Sequence, residues 1–180
     1  ICRLFKIEKM LNYNIRISAV KDGNHEYNFN IDSKFFEAFN NSEVTNSQIK
    51  ATVILHKDGN RFKLTLNFDG EIYNLMCDLC ASEMTISIHN SISVLLHETE
   101  EDLYDTDEII YMKPNQYELD ISQLLYEGIV IYLPSKREHS GEQGNKCDKE
   151  MMALLDKYAQ KEEEKTDPLR NELNKLKDLI

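Results

Sequence analysis

The chain has 180 residues, of which 41% are hydrophobic and 29% charged, a mixture typical of one soluble globular domain. Its 32 acidic residues outnumber 21 basic ones, and the net charge of -11 makes strong binding to bare nucleic acid unfavourable without a local basic patch. No apolar run approaches the roughly 20 residues of a membrane-spanning helix, and four cysteines are too few for a disulfide scaffold, so we expect a cytoplasmic protein that does not enter a membrane.

The sequence predicts three parts. Residues 1–9 precede Met10, which could be the natural start, and are predicted to be an upstream extension; Cys2 lies there and is left out of the candidate site. Residues 10–147 are predicted to form a β-rich domain and residues 148–180 a helical appendage. The expected fold class is α+β, with an antiparallel β-sheet or open barrel-like domain followed by helices at the C-terminus.

Alternating apolar and polar residues predict two strands near the start of the domain, at residues 13–20 and 25–31. The turn cluster Lys21-Asp22-Gly23-Asn24 between them predicts a hairpin. Asp32 or Ser33 is then expected to cap a short helix. The apolar side of that helix carries Phe35, Phe36 and Phe39.

The same alternation predicts further strands up to residue 96. Residues 48–57 and 61–68 flank Asp58-Gly59-Asn60, a hairpin signal, and Asp69-Gly70 predicts another turn. The pattern then continues, interrupted by a C-x-x-C motif at a strand end or in the loop beyond it. Most of the first hundred residues are therefore predicted to be antiparallel sheet.

Residues 98–127, which we call the acidic segment, contain Lys113 as their single basic residue. The segment is either a solvated connection or a docking surface for a basic partner. The glycine-containing spacing of a calcium-binding loop is missing. The docking interpretation selects five carboxylates: Glu100, Glu101, Asp102, Asp105 and Asp107.

Helices are predicted in the last third of the chain. Asp120-Ile121-Ser122-Gln123 resembles a capping box and opens a helix at residues 121–132. A polar loop follows at residues 135–146. Residues 148–164 have helical apolar spacing, and Asp167-Pro168 would begin a final helix.

Cys77 and Cys80 have the spacing with which two thiolates chelate one soft metal ion, and His139 and Cys147 could complete a tetrahedral shell. Zinc is therefore the candidate cofactor. Two other interpretations stay open: thiols that only pack in the core, and a redox or disulfide pair. A thioredoxin-like role disagrees with the context, because such a pair begins a helix after a parallel strand.

Signals of catalysis are weak. No nucleophile elbow surrounds any serine and no phosphate-cradling glycine loop is present. His56, His89 and His97 lie in strand patterns, where an ordinary histidine is commoner than a general base. We therefore expect a protein that is not an enzyme and has no small-molecule substrate.

The signals follow one order along the chain: an antiparallel β domain, C-x-x-C, the acidic segment, Asp120-Ile121-Ser122 opening an apolar helix, Leu133-Pro134, and Cys147. This order resembles the YceD family, the large ribosomal RNA subunit accumulation proteins, in the form found in Bacteroidetes-like bacteria. The resemblance covers roughly residues 10–180 and extends to Lys136-Arg137, His139 and Asp167-Pro168. The family's central motif reads Cys-x-Arg-Cys-Leu, whereas this chain has Leu79 and Ala81 at the arginine and leucine positions.

The resemblance implies a non-enzymatic factor in the synthesis, processing or stability of large-subunit (23S) ribosomal RNA, with large-subunit ribosomal RNA or a basic ribosomal protein as partner. An arginine would be the natural phosphate contact, so Leu79 leaves Lys136 and Arg137 as the local basic candidates. The net charge favours the acidic segment as the surface for a basic protein. The alternative is a structural zinc-binding protein-interaction module unrelated to ribosomes.

Overall fold

The computed structural model describes residues 13–41, 43–139 and 147–163, with side chains as far as residue 158. The predicted extension at residues 1–9 and the predicted final helix after Asp167 lie outside the described residues. The helices and strands are, in chain order, β1 Asn14–Arg16, β2 Gly23–Ile31, α1 Ser33–Ala38, β3 Asn46–Asp58, β4 Arg61–Met76, β5 Glu83–Glu98, β6 Ile109–Met112, β7 Glu118–Asp120, α2 Ser122–Val130 and α3 Lys149–Glu163.

The chain forms two compact units. The first, which we call the sheet unit, contains the described residues up to Leu75 and then Glu83–Ser135. The second, the cysteine unit, contains Met76–Ser82 and the described residues from Lys136 onward. The domain boundaries drawn from the sequence stay a prediction. No helix in the described part of the chain is long and apolar enough to cross a membrane.

The sheet unit is built on five strands in the order β2-β3-β4-β5-β6. β3 is antiparallel to both β2 and β4, whereas β6 runs parallel to β5. β1 and β7 form a separate antiparallel pair. The α+β class is confirmed, and β6 makes the larger sheet mixed rather than purely antiparallel.

One face of the sheet is buried because apolar residues alternate with polar ones along each strand. In β4, for example, Phe62, Leu64, Leu66 and Phe68 are buried. The predicted cap of α1 is confirmed: the Asp32 carboxylate accepts hydrogen bonds from the backbone N–H groups of Lys34 and Phe35. The buried aromatic residues of this helix, which join the core, are Phe35 and Phe36.

The predicted hairpin of residues 13–31 is wrong. β1 is only three residues long and pairs with β7, whereas β2 pairs over its whole length with β3. A three-residue strand cannot pair with the backbone N–H and C=O groups of all nine residues of β2, whereas β3 offers hydrogen-bond partners along its whole length. The observed pairing of β2 with β3 is therefore longer than the local hairpin that the turn cluster predicted.

The predicted turn at Asp69-Gly70 is also wrong, because β4 continues through it. Gly70 pairs with Ile49 in β3 and has a φ of 156°. A Cβ atom at this position would lie 2.2 Å from the Gln48 carbonyl oxygen. Glycine is needed here because two strands approach closely, not because the chain turns.

The predicted capping box at Asp120 is only partly formed. α2 begins at Ser122, one residue later than predicted, and the Asp120 carboxylate accepts a hydrogen bond from the Ser122 N–H. The Gln123 side chain donates to Glu127 instead of reaching back to the cap. The apolar side of the helix packs into the core, since Leu125 and Ile129 are fully buried.

Candidate metal centre

The C-x-x-C motif occupies a tight turn directly after β4. The Cys77 N–H donates to the Ser82 carbonyl, and the Ala81 N–H donates to the Cys77 carbonyl, both at 2.9 Å. Ala81 has a φ of 54°, a left-handed conformation that costs a residue with a side chain roughly 1 kcal/mol or more. The prediction that the cysteines lie at a strand end or in the loop beyond it is confirmed, since β4 ends at Met76.

Asp78 ties this turn to the segment that carries His139. Its N–H donates to the Arg137 carbonyl at 2.7 Å, and its carboxylate accepts from the Arg137 N–H at 2.6 Å. This reciprocal pair places residue 137 against the turn, two residues before His139. Asp78 was missed in the sequence, where its position inside the motif was the available signal.

Cys147 stands immediately before α3. The next residue, Asp148, accepts hydrogen bonds from the N–H groups of Glu150 and Met151, each at 2.9 Å. This is the side-chain capping that begins a helix. The cap therefore fixes the place at which the last cysteine enters the cluster, and α3 confirms the helix predicted from residue 148.

The four predicted ligands converge. The donor atoms of Cys77, Cys80, His139 and Cys147 all lie within 4.8 Å of one another. The sulfur atoms of Cys77 and Cys147 are 3.9 Å apart, and the His139 Nδ1 atom is 3.4 Å from the Cys80 sulfur and 3.6 Å from the Cys147 sulfur. We call these four side chains the donor cluster.

These separations can be compared with those around a zinc ion. Zinc bonds of about 2.3 Å to sulfur and about 2.0 Å to nitrogen, at tetrahedral angles, put two sulfur atoms about 3.8 Å apart and sulfur and nitrogen about 3.5 Å apart. The observed Cys77–Cys147 distance of 3.9 Å is far longer than the roughly 2.05 Å of a disulfide bond. The donor cluster therefore has the spacing of a site that could hold one metal ion.

Burial shields the centre from water. Cys77 and Cys80 are 2% and 3% exposed, and His139 and Cys147 are half-buried. All three cysteines are free. Packing alone explains buried thiols, but it does not require a histidine nitrogen as close to two of the sulfur atoms as two ligands of one metal ion are to each other.

The surroundings of the three thiols give them different pKa values. Burial raises the pKa of Cys77, but the backbone N–H groups of Cys80 and Leu79 outweigh it and hold the pKa below its usual value. Burial also opposes ionisation of Cys80, and hydrogen bonds from the Asp148 backbone and from Ser82 nevertheless lower its pKa to about 6. Burial and the neighbouring thiols raise the pKa of Cys147 to about 11.

Zinc affinity should consequently depend on pH. At pH 7 the Cys147 thiol still carries its proton, which zinc must displace, so we expect binding to release at least one proton per ion. Below about pH 6 the Cys80 thiolate is protonated as well, and the affinity falls further, by about tenfold per pH unit for each proton released. Calorimetric titration in two buffers with different ionisation enthalpies measures this proton count. A count of zero with a pH-independent affinity would contradict the arrangement.

The two basic candidates lie in the same unit. Lys136 is exposed and forms an ion pair with Glu138. Arg137 is half-buried, and its backbone is engaged by Asp78. Their contact with RNA stays a prediction.

In the sheet unit, the five predicted carboxylates of the acidic segment are all exposed. The Lys113 ammonium group donates to the carbonyls of Glu100 and Glu101, at 3.1 and 3.2 Å, and to the Asp102 carboxylate at 2.5 Å. The hydrogen bond and charge of Lys113 lower the pKa of Asp102. Lys113 thus organises this loop internally, a role that the sequence did not reveal.

Comparison with known proteins gives one family. The family model described as Large ribosomal RNA subunit accumulation protein YceD matches residues 64–178. The matched range is more than half of the chain and contains the whole donor cluster. Comparisons with curated proteins and with solved structures gave no significant match.

Proposed function

This chain belongs to the YceD family of large ribosomal RNA subunit accumulation proteins, and we propose that it is a non-enzymatic factor that supports the synthesis, processing or stability of large-subunit ribosomal RNA during ribosome assembly. The family match over residues 64–178 carries this proposal. Depletion of the protein in its host should lower large-subunit relative to small-subunit ribosomal RNA. An unchanged ratio would contradict the proposal.

In this proposal the donor cluster holds a structural zinc ion. Three thiolates and an imidazole form a soft ligand set that suits zinc. Four protein ligands complete a tetrahedral shell and leave no position for a catalytic water. When bound, zinc joins the Cys77 turn, the segment ending at His139 and the start of α3.

The proposed absence of a catalytic role is supported by the closed ligand set of the donor cluster and by the weak signals of catalysis in the sequence. A cavity of about 170 Å³ in the sheet unit, lined partly by Tyr104, Tyr111 and Lys113, is smaller than the about 300–1,000 Å³ that is usual for a ligand pocket.

A basic ribosomal protein is the proposed partner of the acidic segment. The carboxylates of this segment are exposed, and the net charge of -11 attracts a cationic protein while repelling an RNA backbone. Contact with RNA would be restricted to two residues of the cysteine unit, Lys136, which is exposed, and Arg137, which is half-buried.

Association with ribosomal particles should therefore survive nuclease treatment and fail at high salt, because the screening length falls to about 3 Å at 1 M. The triple variant Glu100→Gln, Glu101→Gln and Asp107→Asn should weaken it by about tenfold or more. Cosedimentation with early large-subunit particles on gradients measures the effect.

The matched control is Asp22→Asn, Glu37→Gln and Asp58→Asn, which changes the charge equally at exposed positions elsewhere and should bind normally. Salt-insensitive binding to naked RNA would contradict the proposed surface. Bound zinc without ribosomal association would instead favour an interaction module unrelated to ribosomes.

A further inference from the structure

The outer edge of β5 is open over most of its length. β5 spans Glu83–Glu98 and is hydrogen-bonded to β4 along one side. On its other side, β6 pairs only with Leu95–Glu98. Among the residues that the structure describes, no strand and no backbone hydrogen bond covers the outer edge of residues 84–94.

Leu95 shows which residues of β5 direct their backbone N–H and C=O groups to the open side. Its N–H points outward and donates to the Glu108 carbonyl at 2.8 Å. Because backbone groups alternate between the two sides of a strand, every second residue before Leu95 has its N–H and C=O on the same outer side. These residues are Thr85, Ser87, His89, Ser91 and Ser93.

Contacts with β4 support a regular strand in this region. Ser93 and Thr65 share a side-chain hydrogen bond of 3.1 Å, Ser91 donates to Asn67 at 2.8 Å, and His89 contacts Asp69 at 2.6 Å. The partners step by two residues on each strand, in opposite directions. The alternation from Leu95 back to His89 is therefore unbroken.

This edge lacks the features that normally protect an open strand. Natural edges carry charges, prolines or bulges that prevent another strand from adding. From Met84 to His97 there is no charged residue, proline or glycine, although 29% of the chain is charged. β2, the strand at the other side of the sheet, contains Glu26.

The chain next to this edge indicates the chemistry of the partner. β5 ends at Glu98 and leads directly into the loop that returns as β6 on the same edge. That loop has no basic residue, and its carboxylates belong to Glu100, Glu101, Asp102, Asp105, Asp107 and Glu108. A strand that extends along the open edge towards β6 therefore meets concentrated negative charge.

We propose that an extended, lysine- or arginine-rich segment of a partner protein adds to the sheet as a further strand along residues 85–93 of β5. Main-chain hydrogen bonds supply the binding in this mode, and charge selects the partner. The inference rests on the proposed function for one point, that this partner is a basic ribosomal protein.

The probe is a nine-residue synthetic peptide of alternating lysine and valine. The control peptide has the same sequence with alternate D residues, which keeps the charge but cannot form a regular strand. Amide hydrogen exchange should be fast at the five outward residues in the free protein and slow when the first peptide is bound. The control peptide should give no protection.

Ser91→Pro and Ser91→Ala separate main-chain from side-chain recognition. Proline removes an outward N–H that bonds nothing within the described structure, so the fold should persist, as thermal unfolding will verify. The variant cannot donate a hydrogen bond from this position to the peptide, and the proline ring occupies the edge of the strand. Peptide binding should therefore weaken by about tenfold or more. Ser91→Ala should bind within about twofold of the wild type, since only the side chain changes.

Three results would overturn the strand proposal: equal binding of both peptides, normal binding by Ser91→Pro, or protection of the same amides without peptide because two copies of the chain pair. The proposed function is judged separately, by cosedimentation. If Ser91→Pro still cosediments with ribosomal particles, the strand proposal is wrong and the ribosomal role stands. If the wild-type protein does not cosediment, the ribosomal role is wrong and the peptide result decides the strand proposal alone.

Discussion

Replacing Cys77 by serine is expected to abolish stable zinc binding and to loosen the cysteine unit. Structural zinc contributes on the order of 10–16 kcal/mol in small zinc domains, and that free energy is coupled to folding. A neutral hydroxyl is a poor substitute for a thiolate ligand. Zinc content after dialysis against a chelator should fall to near zero, and proteolysis after Lys136 or Lys149 should accelerate by about tenfold or more.

The control for this prediction is Cys2→Ser, which changes a cysteine outside the donor cluster and should keep the metal. If the thiols only pack, Cys77→Ser lowers the free energy of unfolding by roughly 1–3 kcal/mol. Its metal content then equals that of the wild type and of Cys2→Ser. Equal metal content in wild type and Cys77→Ser would therefore contradict the zinc assignment.

Gly70→Ala is expected to destabilise the sheet unit by about 3 kcal/mol or more. The new methyl group would lie 2.2 Å from the Gln48 carbonyl oxygen and 2.6 Å from the Ile49 Cα atom. Both are backbone atoms of a paired strand, so they cannot move aside without breaking the ladder. Denaturant unfolding followed by circular dichroism measures the loss.

Gly59→Ala is the matched control. Gly59 also has a positive φ, 57°, but nothing lies within 4 Å of an added Cβ atom. Its cost should be limited to the conformational penalty of about 1 kcal/mol. If the two substitutions cost the same, the close approach of β3 and β4 is not what requires Gly70.

Short-range signals predicted much of the sheet. Period-two alternation located most of β3 and the first half of β4, and Asp58-Gly59-Asn60 gave the turn between them. The cap predicted at Asp32 or Ser33 located the start of α1, and Asp32 is the residue that caps it. These features are visible in the sequence because neighbouring residues determine them.

Long-range pairing was not accessible in the same way. β1 pairs with β7, about a hundred residues later, and neither strand exceeds three residues. Asp69-Gly70 has the composition of a turn, and only the approach of β3 explains why the strand continues. Strand β6 was hidden because charged residues surround its four apolar positions.

The membership of the donor cluster could be predicted, but its construction could not. C-x-x-C spacing and the later His139 and Cys147 are sequence features, and the structure brings all four together. The two hydrogen bonds between Asp78 and the Arg137 backbone, which help to join them, leave no periodic or compositional signal.

The metal content of the purified wild-type protein tests the central claim most directly. Elemental analysis of protein prepared without added metal should find one zinc ion per chain, and Cys77, Cys80 and Cys147 should resist alkylation until a chelator removes it. A fully folded protein with no bound metal and three readily alkylated thiols would contradict the claim that the donor cluster is a structural zinc centre.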